Sequence, residues 1–125
     1  MRDTVRCRII IATLLLGIAG ASGWATAQVP YGNADRGEAI YKALCLRCHG
    51  TFGEGDGPDA KDLIVQPENF QSLTSRDRGD FELLVSLSNG VLFSPMHAWR
   101  GRLTEQEMMD VIRYIRALAP PHPIS

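Results

Sequence analysis

Cysteine is scarce in this chain: three in 125 residues are too few for a disulfide framework, and Cys7 lies in the N-terminal segment. The other two, Cys45 and Cys48, are so close that a bridge between them closes too small a loop to staple a domain. Histidine is scarce as well. A zinc site needs four ligands, and beyond Cys45, Cys48 and His49 the strong candidates are His97 and His122. There is no basic stripe, because the 13 Lys and Arg are scattered among 14 Asp and Glu, which argues against nucleic acid as a partner. A membrane-spanning helix wants about 20 strongly apolar residues. The N-terminal run from Ile9 to Ile18 falls short of that, diluted by Gly17 and then by Gly20, Ser22 and Gly23. No segment shows the strict period-two alternation of a half-buried strand, and there are no repeats or low-complexity tracts.

What is present begins with the N-terminus. Arg2, Arg6 and Arg8 precede the apolar run, and Ala25-Thr26-Ala27 follows it as an A-x-A cleavage pattern. Residues 1–27 therefore read as a secretory signal peptide cleaved after Ala27, with a retained anchor as the rival reading. Cleavage takes three arginines and Asp3 away, leaving residues 28–125 as one domain with ten basic and thirteen acidic side chains. Its composition is that of an ordinary soluble globule. A domain of that length has a marginal core, and a large apolar cofactor would supply much of what the side chains cannot.

The domain reads as all-α. A first helix is expected over Ala34 to Leu44, with Asn33 as N-cap, Asp35 and Glu38 in the dipole-favoured first turn, and Ile40, Ala43 and Leu44 as its apolar side. Gly37 within it suggests the close approach of another backbone. A second helix starts near Asp80, with Phe81, Leu84 and Val85 on one side and Leu83 and Leu87 adjacent, and ends at Asn89-Gly90 in a left-handed cap. The third is the best marked. Thr104 and Glu107 form a capping box, Leu103 and Met108 a hydrophobic staple, and Met108, Val111, Ile112, Ile115 and Ala119 recur at helical spacing until Pro120 and Pro121 stop it.

Cys45-Leu46-Arg47-Cys48-His49 is C-x-x-C-H, the attachment signature of haem c. On a helical turn, positions i and i+3 share a face, so two thiols can each bond one vinyl group of a porphyrin while the next residue presents an imidazole to the iron. His49 is thus the proximal ligand, its other ring nitrogen expected to donate to a backbone carbonyl near Pro58. A thiol-disulfide centre usually comes with a βαβ pattern, which is missing here. For the second axial ligand the donors are few. Met108 and Met109 fall inside the last helix, where core packing is their plain role. Met96 lies in the loop Asn89 to Met96, stiffened by Pro95, and adjacent His97 competes with it. His122 reads as a solvated tail residue. The glycine-rich stretch 51–57 has neither a Gly-Lys-Ser/Thr ending nor the ligand alternation of a calcium loop, so it reads as a tight turn beneath the haem. Phe70, Phe93 and Trp99 are expected to line or border the macrocycle, with Trp99 a candidate donor to a propionate.

Five stretches, Gly-Glu-Ala-Ile-Tyr (37–41), Cys-Leu-Arg-Cys-His-Gly (45–50), Gly-Glu-Gly-Asp-Gly-Pro (53–58), Ser-Pro-Met (94–96) and Tyr-Ile-Arg-Ala-Leu (114–118), resemble the class I cytochromes c, specifically bacterial single-haem domains. The resemblance implies a small cytochrome c fold, three or more helices wrapped around one covalently attached haem. The first and last helices would cross near Gly37 and Tyr41 against Tyr114. Met96 would be the distal ligand, so that Cys45, Cys48, His49 and Met96 hold the haem, and assembly would take place outside the cytoplasm. His97 stands where related domains often have proline, which keeps it in play.

The function expected is that of a one-electron carrier in a periplasmic respiratory or dehydrogenase-linked chain, not an enzyme. Its donor would be a dehydrogenase or quinol-oxidising complex and its acceptor a terminal oxidase or reductase, with no stable membrane insertion once the signal is cleaved. A cytochrome subunit of a larger oxidoreductase is the alternative. A haem-based gas sensor or peroxidase with a labile distal ligand ranks below it.

Overall fold

The computed structural model describes residues 31–121; the segment 1–27 expected to be a signal peptide, its expected cleavage site and His122 lie outside the described residues. Among the described residues five helices follow in order: α1 (Ala34–Leu44), the single turn α2 (Leu46–His49), the single turn α3 (Leu73–Arg76), α4 (Asp80–Asn89) and α5 (Glu105–Leu118). A 3-10 turn, Ala60–Asp62, lies between α2 and α3. Among the described residues there is no strand beyond one isolated bridge between Arg100 and Leu103, and no helix is long and apolar enough to cross a membrane. The all-α class is as expected. The turn α2 falls on the C-x-x-C-H motif, where a helical turn is expected, whereas α3 and the 3-10 turn are additional, being too short to show a period in sequence.

Caps place the helix ends. Asn33 Oδ1 accepts from the Arg36 amide at 2.9 Å, starting α1 where its sequence signal lies. Thr104 and Glu107 close their box: Thr104 Oγ1 accepts from the Glu107 amide at 3.2 Å and Glu107 Oε2 accepts from the Thr104 amide at 2.8 Å. At the start of α4, Glu82 Oε2 reaches back to the Gly79 amide at 2.8 Å.

The core is the crossing of α1 and α5. A Cβ built on Gly37 would stand 1.9 Å from the Asp110 carbonyl oxygen, so only glycine lets the two backbones meet there. One turn on, Tyr41 is buried with its ring 5.2 Å from that of Tyr114, and its hydroxyl donates to the Gly50 carbonyl at 2.8 Å. Val111, Ile112, Ile115 and Ala119 continue the seam. Asp110 is buried in it as a carboxylate because it is fully partnered. It accepts from the Asn33 amide at 2.6 Å, from Arg36 Nε at 2.7 Å and from Gln106 Nε2 at 3.0 Å. The Arg36 hydrogen bonds foremost hold its pKa down at about 2.

Two apolar faces differ from expectation. In α1 the buried residues are Gly37 and Tyr41, while Ala43 and Leu44 are exposed, because the seam follows the close approach at Gly37 rather than the greasiest stripe. In α4 the buried pair is Leu83 and Leu87, and Phe81 turns outward at 76 % exposure. The reason is tertiary. Arg116 of α5, itself buried, donates to Asp80 Oδ1 at 2.7 Å and to the Arg78 carbonyl, which fixes the entry and rotation of α4.

Candidate functional site

Cys45 ends α1 and begins the next turn, its amide donating to the Tyr41 carbonyl at 2.8 Å. The Cys48 and His49 amides then both donate to the Cys45 carbonyl, at 3.2 and 2.9 Å. The turn brings both thiols and the imidazole to one cavity of about 600 Å³.

The glycine-rich loop has its role behind this turn. Gly57 donates to the Cys48 carbonyl at 3.1 Å, Gly55 to the His49 carbonyl at 2.9 Å and Asp59 to the Arg47 carbonyl at 2.9 Å. Those amides satisfy the carbonyls left open by so short a helix, so they are not free to cradle a phosphate. The approach is tight. A Cβ on Gly57 would come within 2.3 Å of the Arg47 carbonyl oxygen, and Gly50 runs at φ 79° against Asp56. Arg47 and Asp59 add two side-chain hydrogen bonds of 2.7 and 2.8 Å on the outside.

His49 is oriented from two directions. Its ring stacks on Phe70 at 4.7 Å with planes 11° apart, and Nδ1 lies 3.3 Å from the carbonyl oxygen of Glu68. That carbonyl, rather than one near Pro58, is the partner, because the chain returns past the glycine loop. The Phe70 amide donates to Gly53 at 2.7 Å, and a Cβ on Gly55 would meet the Pro67 carbonyl at 2.6 Å. With Nδ1–H donating to Glu68, the Nε2 lone pair is left for a metal. Burial pushes the His49 pKa below its ordinary value and so favours the neutral ring a ligand must be.

The thiols are unlinked, and burial, with the neighbouring Cys48 second, pushes Cys45 up to about 12. A thiol that protonated at neutral pH is the reverse of an activated redox cysteine. Among the described residues no group of three or more His, Cys, Asp or Glu is arranged to hold a metal ion by itself.

Met96 contributes another part of the cavity wall. It sits in a closed turn: the Val91 amide donates to its carbonyl at 2.8 Å, and its own amide donates to Ser94 Oγ at 3.1 Å. Gly90 makes this possible with φ 72° and ψ −173°, a glycine-only conformation rather than the left-handed helical cap expected. A Cβ there would lie 2.6 Å from the Met96 carbonyl oxygen. His97 also borders the cavity but is exposed, its ring 4.5 Å from that of Trp99 and its Nε2 accepting from Arg102 at 3.1 Å.

Of the three aromatic residues expected around the cavity, Phe70 and Trp99 line it and Phe93 does not. Phe93 is 97 % exposed, because the turn Val91–Ser94 carries it at its tip. Glu68 and Arg78 are cavity residues that the sequence reading missed, and Arg78 is the only Lys or Arg of the lining. Both arrive through the long connection between α2 and α4, whose path no periodicity specifies.

The wall fits a haem. It is largely apolar, with Tyr41, Leu83, Leu87, Val111 and Ile115 from three helices and the thiols and imidazole at one place. It also includes Trp99, whose Nε1 is the one buried side-chain N or O atom among the described residues without a partner. A buried donor left unpaired costs about 1–3 kcal/mol, and the carboxylates of a haem are acceptors that can relieve it.

Fold and site together define a small c-type cytochrome domain. The chain belongs to the family described as cytochrome c oxidase, cbb3-type, subunit III, whose model matches residues 32–115. Membership brings haem and electron transfer with it. Among solved structures, it is similar to a chain of the Kuenenia stuttgartiensis reducing HAO-like protein complex Kustc0457/Kustc0458, with 24 % identity and a TM-score of 0.63. That match covers 69 % of this chain and only 43 % of the other, and it speaks to the fold alone. No curated protein sequence matches significantly.

Proposed function

We propose that this protein is an exported one-electron carrier that holds a single haem c through thioethers to Cys45 and Cys48, with His49 and Met96 as axial ligands. The observation that carries the reading is that all four side chains border one cavity of about 600 Å³ in a chain of this family. When bound, the haem supplies one-electron chemistry between its ferric and ferrous states.

The chain's own residues do the rest. Glu68 and Phe70 fix the plane of the His49 ring, and the glycine loop holds the turn that carries it, so little has to move when the charge at the site changes. Met96 is favoured over His97 because His97 Nε2 is already engaged by Arg102. A methionine sulfur raises the potential relative to a second imidazole. Arg78, 4.0 Å from Glu68 and the one Lys or Arg of the lining, would supply a cation for haem carboxylates. If His49 and Met96 both hold the iron, a small ligand would find no open position, which would separate a carrier from an enzyme or a sensor.

Export rests on residues 1–27 as a signal peptide, which makes the periplasm the place of work. The partners are then a dehydrogenase or quinol-oxidising complex on one side and a terminal oxidase or reductase on the other. The alternative, a subunit of a larger oxidoreductase, is supported by the family, whose description is that of a subunit of a cbb3-type cytochrome c oxidase.

A magnetic circular dichroism spectrum of the oxidised protein, made with haem-attachment machinery, tests the ligand set. A sulfur-to-iron charge-transfer band is expected, and its loss in Met96→Ala together with new binding of carbon monoxide to the reduced protein. A bis-imidazole spectrum in the wild type would transfer the ligand role to His97. Carbon monoxide binding to the reduced wild type at neutral pH would favour the sensor or peroxidase.

A further inference from the structure

Phe93 is the one residue other than glycine with positive φ among the described residues, at 60°. A bulky side chain in that region is strained, and such strain persists only where the surroundings impose it. Here they do. The Ser94 amide and Ser94 Oγ both hydrogen-bond to the Val91 carbonyl, at 3.2 and 2.9 Å, and the Val91 amide closes on Met96. The turn presents Leu92 and Phe93 to solvent at 86 % and 97 % exposure.

Single exposed apolar residues are ordinary, and Phe81 on α4 is one. The tip differs in three respects. It is two adjacent residues held in a closed turn at a cost in backbone strain. It is continuous with the cavity wall, which Val91 and Leu92 line, and Leu63 and Val65 of that wall flank a fully exposed Ile64. Cations flank its base: Arg100 donates to Asn89 at 2.8 Å on one stem of the loop, and Arg102 contacts His97 on the other.

We propose that Leu92 and Phe93 are a preformed docking anchor for a redox protein whose own site lies under an apolar surface rimmed by carboxylates. The inference rests on the carrier reading and adds to it the residues that make contact and the chemistry of the partner. Rigid exposed aromatics are the usual anchors of interfaces, and flanking charges set the encounter rate and its salt dependence. A protein partner suits the position better than a lipid surface, because the tip adjoins the wall from which an electron would leave. The turn that carries the anchor also carries Met96, so contact at the tip falls directly on the segment holding the sulfur.

Stopped-flow oxidation of the reduced, haem-loaded protein tests this, with a blue-copper protein whose copper lies under a carboxylate-rimmed apolar patch as acceptor and ferricyanide as the control. Phe93→Gly should slow the protein reaction by about tenfold or more, leave the ferricyanide rate within about twofold, and keep or raise thermal stability because glycine suits the backbone there. Replacing Arg100 and Arg102 by Gln should flatten the dependence on ionic strength, and Phe81→Ser should change neither rate. Equal rates for wild type and Phe93→Gly with the copper protein would overturn the docking role, as would a lowered melting temperature that marks Phe93 as structural. Co-sedimentation with phosphatidylglycerol vesicles that Phe93→Gly abolishes would assign the tip to membranes instead. Haem content, read first from the denatured protein, separates the two readings. A haem-free product ends both, whereas a loaded protein indifferent to Phe93 ends only the docking.

Discussion

The α1–α5 crossing and the cavity wall are built from the same helices and are completed in different ways. At the crossing, the protein satisfies itself: Gly37 admits the Asp110 backbone, Asp110 is hydrogen-bonded by Asn33, Arg36 and Gln106, and Tyr41 spends its hydroxyl on Gly50. Along the cavity, Leu44, Leu63 and Val65 turn apolar surface inward, and Trp99 keeps an unpaired donor. The first region is a scaffold that the chain alone can specify. The second gains its packing from a guest, which is how so short a domain acquires a sufficient core. Substitutions in the two regions should therefore separate: those in the scaffold change stability with the axial ligands intact, and those in the wall change the ligands at a smaller cost in stability.

The largest effect is expected from Gly37→Val, which forces atoms against the Asp110 carbonyl and should cost on the order of 3 kcal/mol or more. Urea unfolding of the haem-loaded protein measures it, and the charge-transfer band should survive in the fraction that folds. Asp110→Asn comes next, at about 2 kcal/mol, because a buried network loses its charge-assisted hydrogen bonds. The same carboxylate sets a pH window. Its folded pKa of about 2 lies below the ordinary 3.8, so its contribution is fully present above about pH 4 and is lost as pH falls towards 2. Acid titration of stability should show that loss in the wild type and a shallower one in Asp110→Asn.

Gly90→Ala probes the wall. Alanine is strained at φ 72° and its methyl meets the Met96 carbonyl, so the loop must shift. A cost of about 1–2 kcal/mol is expected, together with a weakened charge-transfer band, a spectral change that Asp110→Asn should not produce. Arg47→Gln breaks only an exposed pair with Asp59 and should leave both stability and spectrum unchanged. A spectral change in Arg47→Gln would show that the outer side of the motif also tunes the site, which would blur the division between the two regions.

Much of the scaffold was legible in the residues, for identifiable reasons. Local signals act over one turn, and Asn33, Thr104 with Glu107, and the prolines after α5 mark helix ends wherever the rest of the chain goes. Gly37 announced a backbone contact because little else justifies glycine inside a helix. The C-x-x-C-H turn was legible because its chemistry lies within five residues. What stayed hidden depends on distant chain. Glu68 rather than a carbonyl near Pro58 meets His49 because the segment returning from the loop passes there. The rotation of α4 follows from Arg116 on another helix, so Leu83 and Leu87 are buried and Phe81 is not. Phe93 read as a cavity residue from its aromaticity and proximity to Met96, yet a turn closed by Val91 and Ser94 directs it outward.

The most direct test is the intact mass of the exported protein under denaturing conditions, taken together with alkylation of its thiols. The expected product is residues 28–125 carrying one haem that survives denaturation, with neither Cys45 nor Cys48 open to alkylation. A colourless product of the bare chain mass, alkylated at both cysteines after maturation that loads other such domains, would contradict the account at its root.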